Sequence, residues 1–315
     1  MKQNKNQKKA EGNKLNLSLA LYVLFGLLGL WTFMIMPFSS TGQIVYNQTA
    51  ILNTTLNITN SAPLIYAVSI DPSIDLIADS NKTVFCNVTV FDFDNDTLVV
   101  NASFYLENIS QPDGTPDGNN LYKNSTCTRV SEQANEMNYT CSFPVLYYAD
   151  NSTNWKCNIT VSDGGAVGAS NITEYTTINP LVAIKVPGIL NYGNLVTGQI
   201  SDPAWANITN SGNRNASIAV EGYAVTPGDG LSFNCTFGNI LLANERYNAT
   251  APATAYSQMT PITSTSTNIS GFYVGHRTSE VSESINSTYW RVQVPIGAGG
   301  VCNGKILFTA SDTLT

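Results

Sequence analysis

Val84-Phe85-Cys86-Asn87-Val88-Thr89-Val90 sets Cys86, Val88 and Val90 on one side of an extended chain and Asn87 and Thr89 on the other. Cys157-Asn158-Ile159-Thr160-Val161 repeats the arrangement. Alternation at a period of two is the mark of a half-buried strand. Two inward cysteines on strands about 70 residues apart suit a bridge between the packed sheets of a sandwich.

All six cysteines, at 86, 127, 141, 157, 235 and 302, follow the apolar N-terminal stretch, and an even count in an exported chain reads as disulfides. With Cys86 and Cys157 joined, Cys127 and Cys141 staple a local hairpin, and Cys235 pairs with Cys302. Four cysteines allow three pairings, so other connectivities stay open. No C-x-x-C spacing occurs and the only histidine is His276, which argues against zinc.

Nineteen Asn-x-Ser/Thr sequons lie beyond residue 46: Asn47, Asn53, Asn57, Asn81, Asn87, Asn95, Asn101, Asn108, Asn124, Asn138, Asn151, Asn158, Asn171, Asn207, Asn215, Asn234, Asn248, Asn268 and Asn286. Random placement at this composition gives roughly 7, so the excess points to selection for N-linked sugar on the cell exterior. The middle residue is Ile, Val, Ala, Tyr or Cys in 12 of the 19. A sequon on a strand then shows its Asn to solvent and its middle residue to the core. Sugar on that face also obstructs proteases and edge-to-edge association.

The first 14 residues hold five lysines against Glu11, and about 20 uncharged, mostly apolar residues follow from Leu17 to Met36, ended by Pro37. A helix of that length matches the bilayer core at about 30 Å, and the lysines hold the N-terminus in the cytoplasm. The expected layout is a basic segment over 1–16, a transmembrane helix or signal anchor over 17–37 and a glycosylated stalk over 38–60. Two β-sandwich domains follow, an immunoglobulin-like one over 61–180 and a second over 181–315. No second apolar segment is visible, which gives a single-pass topology; cleavage near residue 42 is the rival reading. Outside the anchor, 10 of the 15 Lys/Arg face 21 of the 22 Asp/Glu, a net charge of −11 with no electrostatic footprint for nucleic acid.

Alternation predicts strands near 64–70, 82–92, 97–106, 122–130, 138–147, 154–162 and 171–178, with turns at 111–120 and 163–165. In the second half, Asn210-Ser211-Gly212-Asn213 reads as a hairpin turn. Residues 288–294 read as a strand paired with 302–310, and 251–270 as a long surface loop. No amphipathic helix of 12 residues or more is visible, so the ectodomain is expected to be all-β.

Phe91-Asp92-Phe93-Asp94-Asn95-Asp96-Thr97-Leu98, followed later by Trp155 to Gly164, resembles the cadherin-like and PKD-type immunoglobulin-like modules of prokaryotic surface proteins. Together with the sequons and the basic anchor, the whole looks like an archaeal surface glycoprotein. The resemblance covers about 61–180 and implies an immunoglobulin-like sandwich. It also implies that Asp92, Asp94 and Asp96, with Asp163, could ligate calcium. An EF-hand is excluded, because Thr97 and Ser103 stand where that loop needs Gly and Glu. The other reading is a turn whose Asp and Asn side chains cap their own backbone. No cofactor besides calcium is expected.

No G-x-S-x-G occurs, and His276 in Gly-His-Arg-Thr-Ser reads as an exposed loop, so no enzyme is expected. Tyr147, Tyr148, Trp205, Tyr289 and Trp290 are the candidates for a sugar platform, with core packing as the commoner role. The function expected is structural or adhesive at the cell envelope, with other surface proteins or a second copy as partners. The alternative is a filament or surface-layer subunit released by cleavage, and a third reading is a surface hydrolase with an unrecognised site. Strand donation by 43–58 would serve that alternative, but Val45, Ile51, Leu52, Leu56 and Ile58 do not alternate cleanly as a set.

Overall fold

The alternating stretches fold into facing sheets. The computed structural model describes residues 51–164, 168–281 and 283–312. The basic segment 1–16, the apolar segment 17–37, most of the stalk 38–60 and Asn47 lie outside the described residues. Among the described residues no helix is long and apolar enough to cross a membrane. Residues 51–57, the described part of the unit Met1–Asn57, form no regular element and are exposed.

The first sandwich contains β1 (Leu64–Ile70), β2 (Ser73–Ile74), β3 (Asn81–Phe91), β4 (Val99–Leu106), β5 (Leu121–Asn124), β6 (Thr128–Gln133), β7 (Glu136–Leu146), β8 (Ser152–Ser162), β9 (Gly168–Ile172) and β10 (Thr176–Ile178). One sheet runs β1-β3-β7-β6; the other runs β2-β10-β8-β4-β5, with β9 also on β8. The orders β1-β3-β7-β6 and β9-β8-β4-β5 are those of an immunoglobulin sandwich with one added edge strand. Val84, Cys86, Val88 and Val90 are buried while Phe85 and Asn87 are exposed. Opposite them Phe104 of β4 stacks on Trp155 of β8, ring centroids 4.7 Å apart. Each large apolar side chain buried this way contributes about 1.5–3 kcal/mol.

The second half contains β11 (Ile184–Lys185), β12 (Ala204–Asn210), β13 (Ala216–Tyr223), β14 (Leu231–Phe237), β15 (Asn239–Leu241), β16 (Glu245–Asn248), β17 (Thr260–Pro261), β18 (Thr267–Val274), β19 (Ile285–Val292), β20 (Gly299–Asn303) and β21 (Lys305–Asp312). Three sheets form: β11-β12-β19-β16-β17, β18-β13-β21 and β15-β14-β20. Ile208 and Trp290 from the first meet Ile218, Val220 and Phe272 from the second in one core. The described β-structure lies in one compact unit, Ile58–Thr315. Its only described helices are two single 3-10 turns, so the expected all-β class holds for the described residues.

Several expectations need correction. The strand expected at 122–130 is two, β5 and β6, because the chain crosses between sheets; the Cys127 amide donates to the Val100 carbonyl at 3.1 Å on the way. Residues 171–178 also divide, into β9 and β10. Asn210–Asn213 is no hairpin turn: β12 and β13 lie in different sheets, so this corner carries the chain across the sandwich. Residues 302–310 do not pair with 288–294, because β20 joins β14 and β21 joins β13. The 251–270 stretch is no plain surface loop, because Met259, Ile262 and Ile269 are buried.

Disulfides join Cys86–Cys157, Cys127–Cys141 and Cys235–Cys302, the pairs that the strand patterns favour. The first bridges the two sheets of the first sandwich. The third links residues directly opposite each other on β14 and β20. In the chain-entropy model loops of this size give roughly 3–4.5 kcal/mol each.

Candidate functional site

Of the nineteen sequon asparagines, Asn47 lies outside the described residues and none of the other eighteen is buried. On several strands the middle residue turns inward: Val88, Ala102, Tyr139, Ile159, Ile208, Ala216 and Ile269 are buried, whereas Ile172 on β9 and Lys82 on β3 are exposed. The sequon surface is therefore the outer face of the sheets. The Asn151 Nδ2 donates across the joint to the Asn213 carbonyl at 3.2 Å, whereas the Nδ2 atoms of Asn124, Asn248 and Asn286 donate to carbonyls of their own sandwich.

The acidic turn lies at the pole of the first sandwich where β3 and β8 end. Asp92 is fully buried and its Oδ2 accepts the Asp96 amide at 2.8 Å. Asp94 Oδ2 accepts the Ser61 amide at 2.6 Å, and Asn95 takes a left-handed φ of 58°. Asp96 is exposed, and the buried Asp163 accepts from Asn60 Nδ2 at 3.4 Å. Burial, and then the Asp94 carboxyl beside it, push the Asp92 carboxyl above its ordinary range. The turn uses its carboxylates to cap backbone amides. Among the described residues no group of three His, Cys, Asp or Glu side chains could hold a metal.

At the opposite pole the two sandwiches meet. Asn213, 1% exposed, accepts the Leu181 amide at 2.6 Å and donates to the carbonyls of Ala149 and Asn179 at 3.0 and 3.1 Å. A Cβ on Gly212 would lie 2.1 Å from the Leu181 carbonyl oxygen, so only glycine fits there. Arg277 sits over the Tyr148 ring and donates to the Tyr147 hydroxyl at 3.3 Å. His276 is half-buried in the same joint, with Nδ1 3.1 Å from Asn215 Oδ1 and Nε2 3.6 Å from Asp150 Oδ1. The exposed-loop expectation for His276 fails because a neighbouring sandwich covers that loop.

The joint and the cores use most of the aromatic candidates. Tyr147, Tyr148 and Trp290 are buried. Trp205, 61% exposed, and its cross-strand partner Tyr289 are left on the outer face.

Sequence reading missed a buried acid. Glu245 on β16 is 2% exposed and accepts the Tyr192 hydroxyl at 2.6 Å. Desolvation raises its carboxyl to about 7, against the Tyr192 hydrogen bond, which lowers it. Glu245-Arg246-Tyr247 alternates in, out, in, and that alternation was the available signal. Glu245 lines a cleft of about 510 Å³ between 186–192 and residues 302–308. A second cleft of about 550 Å³ lies beyond Tyr192, between 190–197 and Ala298 to Cys302.

No protein-family model and no curated protein matches the chain. Among solved structures it is similar to the secreted serine protease VesC from Vibrio cholerae, at 8% identity and a TM-score of 0.19, over 78% of this chain and 50% of that one. The chain thus spans half the length of that protease. It is also similar to BspA_C_WT and BspA_C_mut, each at 10% identity and a TM-score of 0.21, over 80% of this chain and 96% and 94% of theirs. Superpositions this poor carry no argument about function.

Proposed function

We propose that the chain is a membrane-anchored, N-glycosylated protein of the cell exterior whose role is structural or adhesive and not catalytic. The accessible face of the sequons, with their middle residues in the core, carries this reading most directly. The basic, then apolar N-terminus supports anchorage, and the three disulfides suit an oxidising exterior. The short motifs shared with cadherin-like modules support an archaeal-type surface glycoprotein.

The test is N-terminal sequencing with intact mass, before and after deglycosylation, on protein taken from native membranes. A start near Met1 in the membrane fraction, with mass lost on deglycosylation, is the expected result. An unglycosylated chain would overturn the reading. A start near Gly42 in the released fraction would replace it with the filament or surface-layer alternative, which the exposed apolar residues of 51–58 favour.

A further inference from the structure

We propose that copies of this chain assemble head to tail, with the extended segment 52–58 of one copy adding as a strand to the free edge of β21 in the next. The donor is read from residues 51–58. Ile51, Leu52, Leu56 and Ile58 are 89, 86, 87 and 70% exposed, an unusual state for apolar side chains in a row. The whole 43–58 stretch does not alternate, but 52–58 does. As a strand it sets Leu52, Thr54, Leu56 and Ile58 on one face and Asn53, Thr55 and Asn57 on the other. Both sequon asparagines fall on the second face, so attached sugar points away from a partner that covers the first.

The acceptor is β21. Among the described residues only β13 pairs with it, so its other edge presents unpaired N–H and C=O groups. Ile306, Phe308 and Ala310 face the core but are only partly buried. The cleft of about 510 Å³ borders this strand, with Phe233, Leu190, Ile306 and Phe308 in its lining. An added strand supplies ladder hydrogen bonds along the edge, and its alternate apolar side chains fill the cleft. The seven donor residues match the eight of β21 in length.

The occupant is another copy because the same copy cannot reach. The donor joins the sandwich at Ser61, at the pole held by Asp94. The second sandwich lies at the far end of β3, where the Asp79 amide donates to the Ser211 carbonyl. The eleven residues of β3 span about 35 Å, while the three steps from Ser61 to Ile58 cover about 10 Å. Donor and acceptor at opposite poles make a heterologous contact, so that, where the rotation between copies closes no ring, repetition gives an open row of copies, whether or not each keeps the N-terminal anchor proposed above.

The test compares full-length protein in detergent with its Leu52→Asp/Leu56→Asp variant by mass photometry. Both side chains stand in solvent, so the variant should melt like the wild type. The expected result is a ladder of multiples for the wild type and monomer alone for the variant. A labelled peptide of residues 50–60 should then bind the variant saturably and slow hydrogen exchange in β21. A variant that assembles like the wild type would overturn the proposal. So would a wild type that stays monomeric with no peptide binding, or protection at β1 or β6 in place of β21.

Discussion

The Asn213 side-chain amide donates to the Ala149 carbonyl at 3.0 Å, and through it the corner between β12 and β13 is fastened to the end of the first sandwich. The same side chain serves Leu181 and Asn179, in the link between the sandwiches. Asn213→Ala would leave the buried Ala149 carbonyl and the part-buried Leu181 amide and Asn179 carbonyl without this partner. Unsatisfied groups of this kind cost about 1–3 kcal/mol each before relaxation, so a loss of about 3 kcal/mol is expected in urea unfolding. A loss below about 1 kcal/mol would show that the joint does not rest on this residue.

Glu245 makes stability depend on pH. Its folded carboxyl titrates near 7, raised from 4.5 by burial, so its contribution is complete below about 4.5 and falls away as pH rises to 7. Over that window the wild type should lose roughly 2–3 kcal/mol relative to Glu245→Gln, which keeps an acceptor for Tyr192. Parallel stability curves for the two proteins would remove the effect.

Reduction of the folded protein should be ordered. Cys86 and Cys157 are fully buried, whereas Cys235 and Cys302 are half-exposed. Timed alkylation with mass spectrometry should therefore find the Cys235–Cys302 thiols first and the Cys86–Cys157 pair last. Simultaneous appearance of all six thiols would mean that reduction waits for global unfolding.

Sugar occupancy should be uneven. The Asn151 amide nitrogen, the atom that would carry sugar, is hydrogen-bonded across the joint to the other sandwich, while Asn268 stands on an exposed strand position. Site-resolved glycopeptide mass spectrometry should give the lowest occupancy at Asn151. Occupancy there equal to that at Asn268 would imply that sugar is added before the sandwiches meet.

Calcium should matter little to the fold. Asp92 and Asp94 are engaged with the amides of Asp96 and Ser61. Chelation is expected to leave Tm unchanged, and Asp92→Ala to cost about 1–2 kcal/mol as the cap is lost. A calcium-dependent rise of several degrees would reverse the assignment of these carboxylates.

The long strands of the first sandwich were legible because burial on one face imposes alternation: β3, β4, β7 and β8 start and end within two residues of expectation. Alternation does not say which sheet a strand joins. Asn210-Ser211-Gly212-Asn213 has the composition of a tight turn, yet its flanking strands pair with β19, β18 and β21, all distant in sequence. Lys123-Asn124-Ser125-Thr126 likewise carries no sign that the chain changes sheet there. Met259 and Ile262 were hidden because single apolar residues among Ser and Thr have no period. Glu245 and His276 owe their surroundings to packing between remote segments, which no local window contains.

Cys86 and Cys141 sit directly opposite each other on β3 and β7, although each is bonded elsewhere. Opposed residues of an antiparallel pair have Cα atoms about 4.5–5.5 Å apart, within reach of a disulfide. During synthesis β3 and β7 can pair before β8 has emerged, when Cys157 is still absent and the neighbouring thiol is the wrong one. Maturation of this chain is thus a matter of timing: oxidation must wait until β8 has docked, or a thiol exchange catalyst must undo the early mistake.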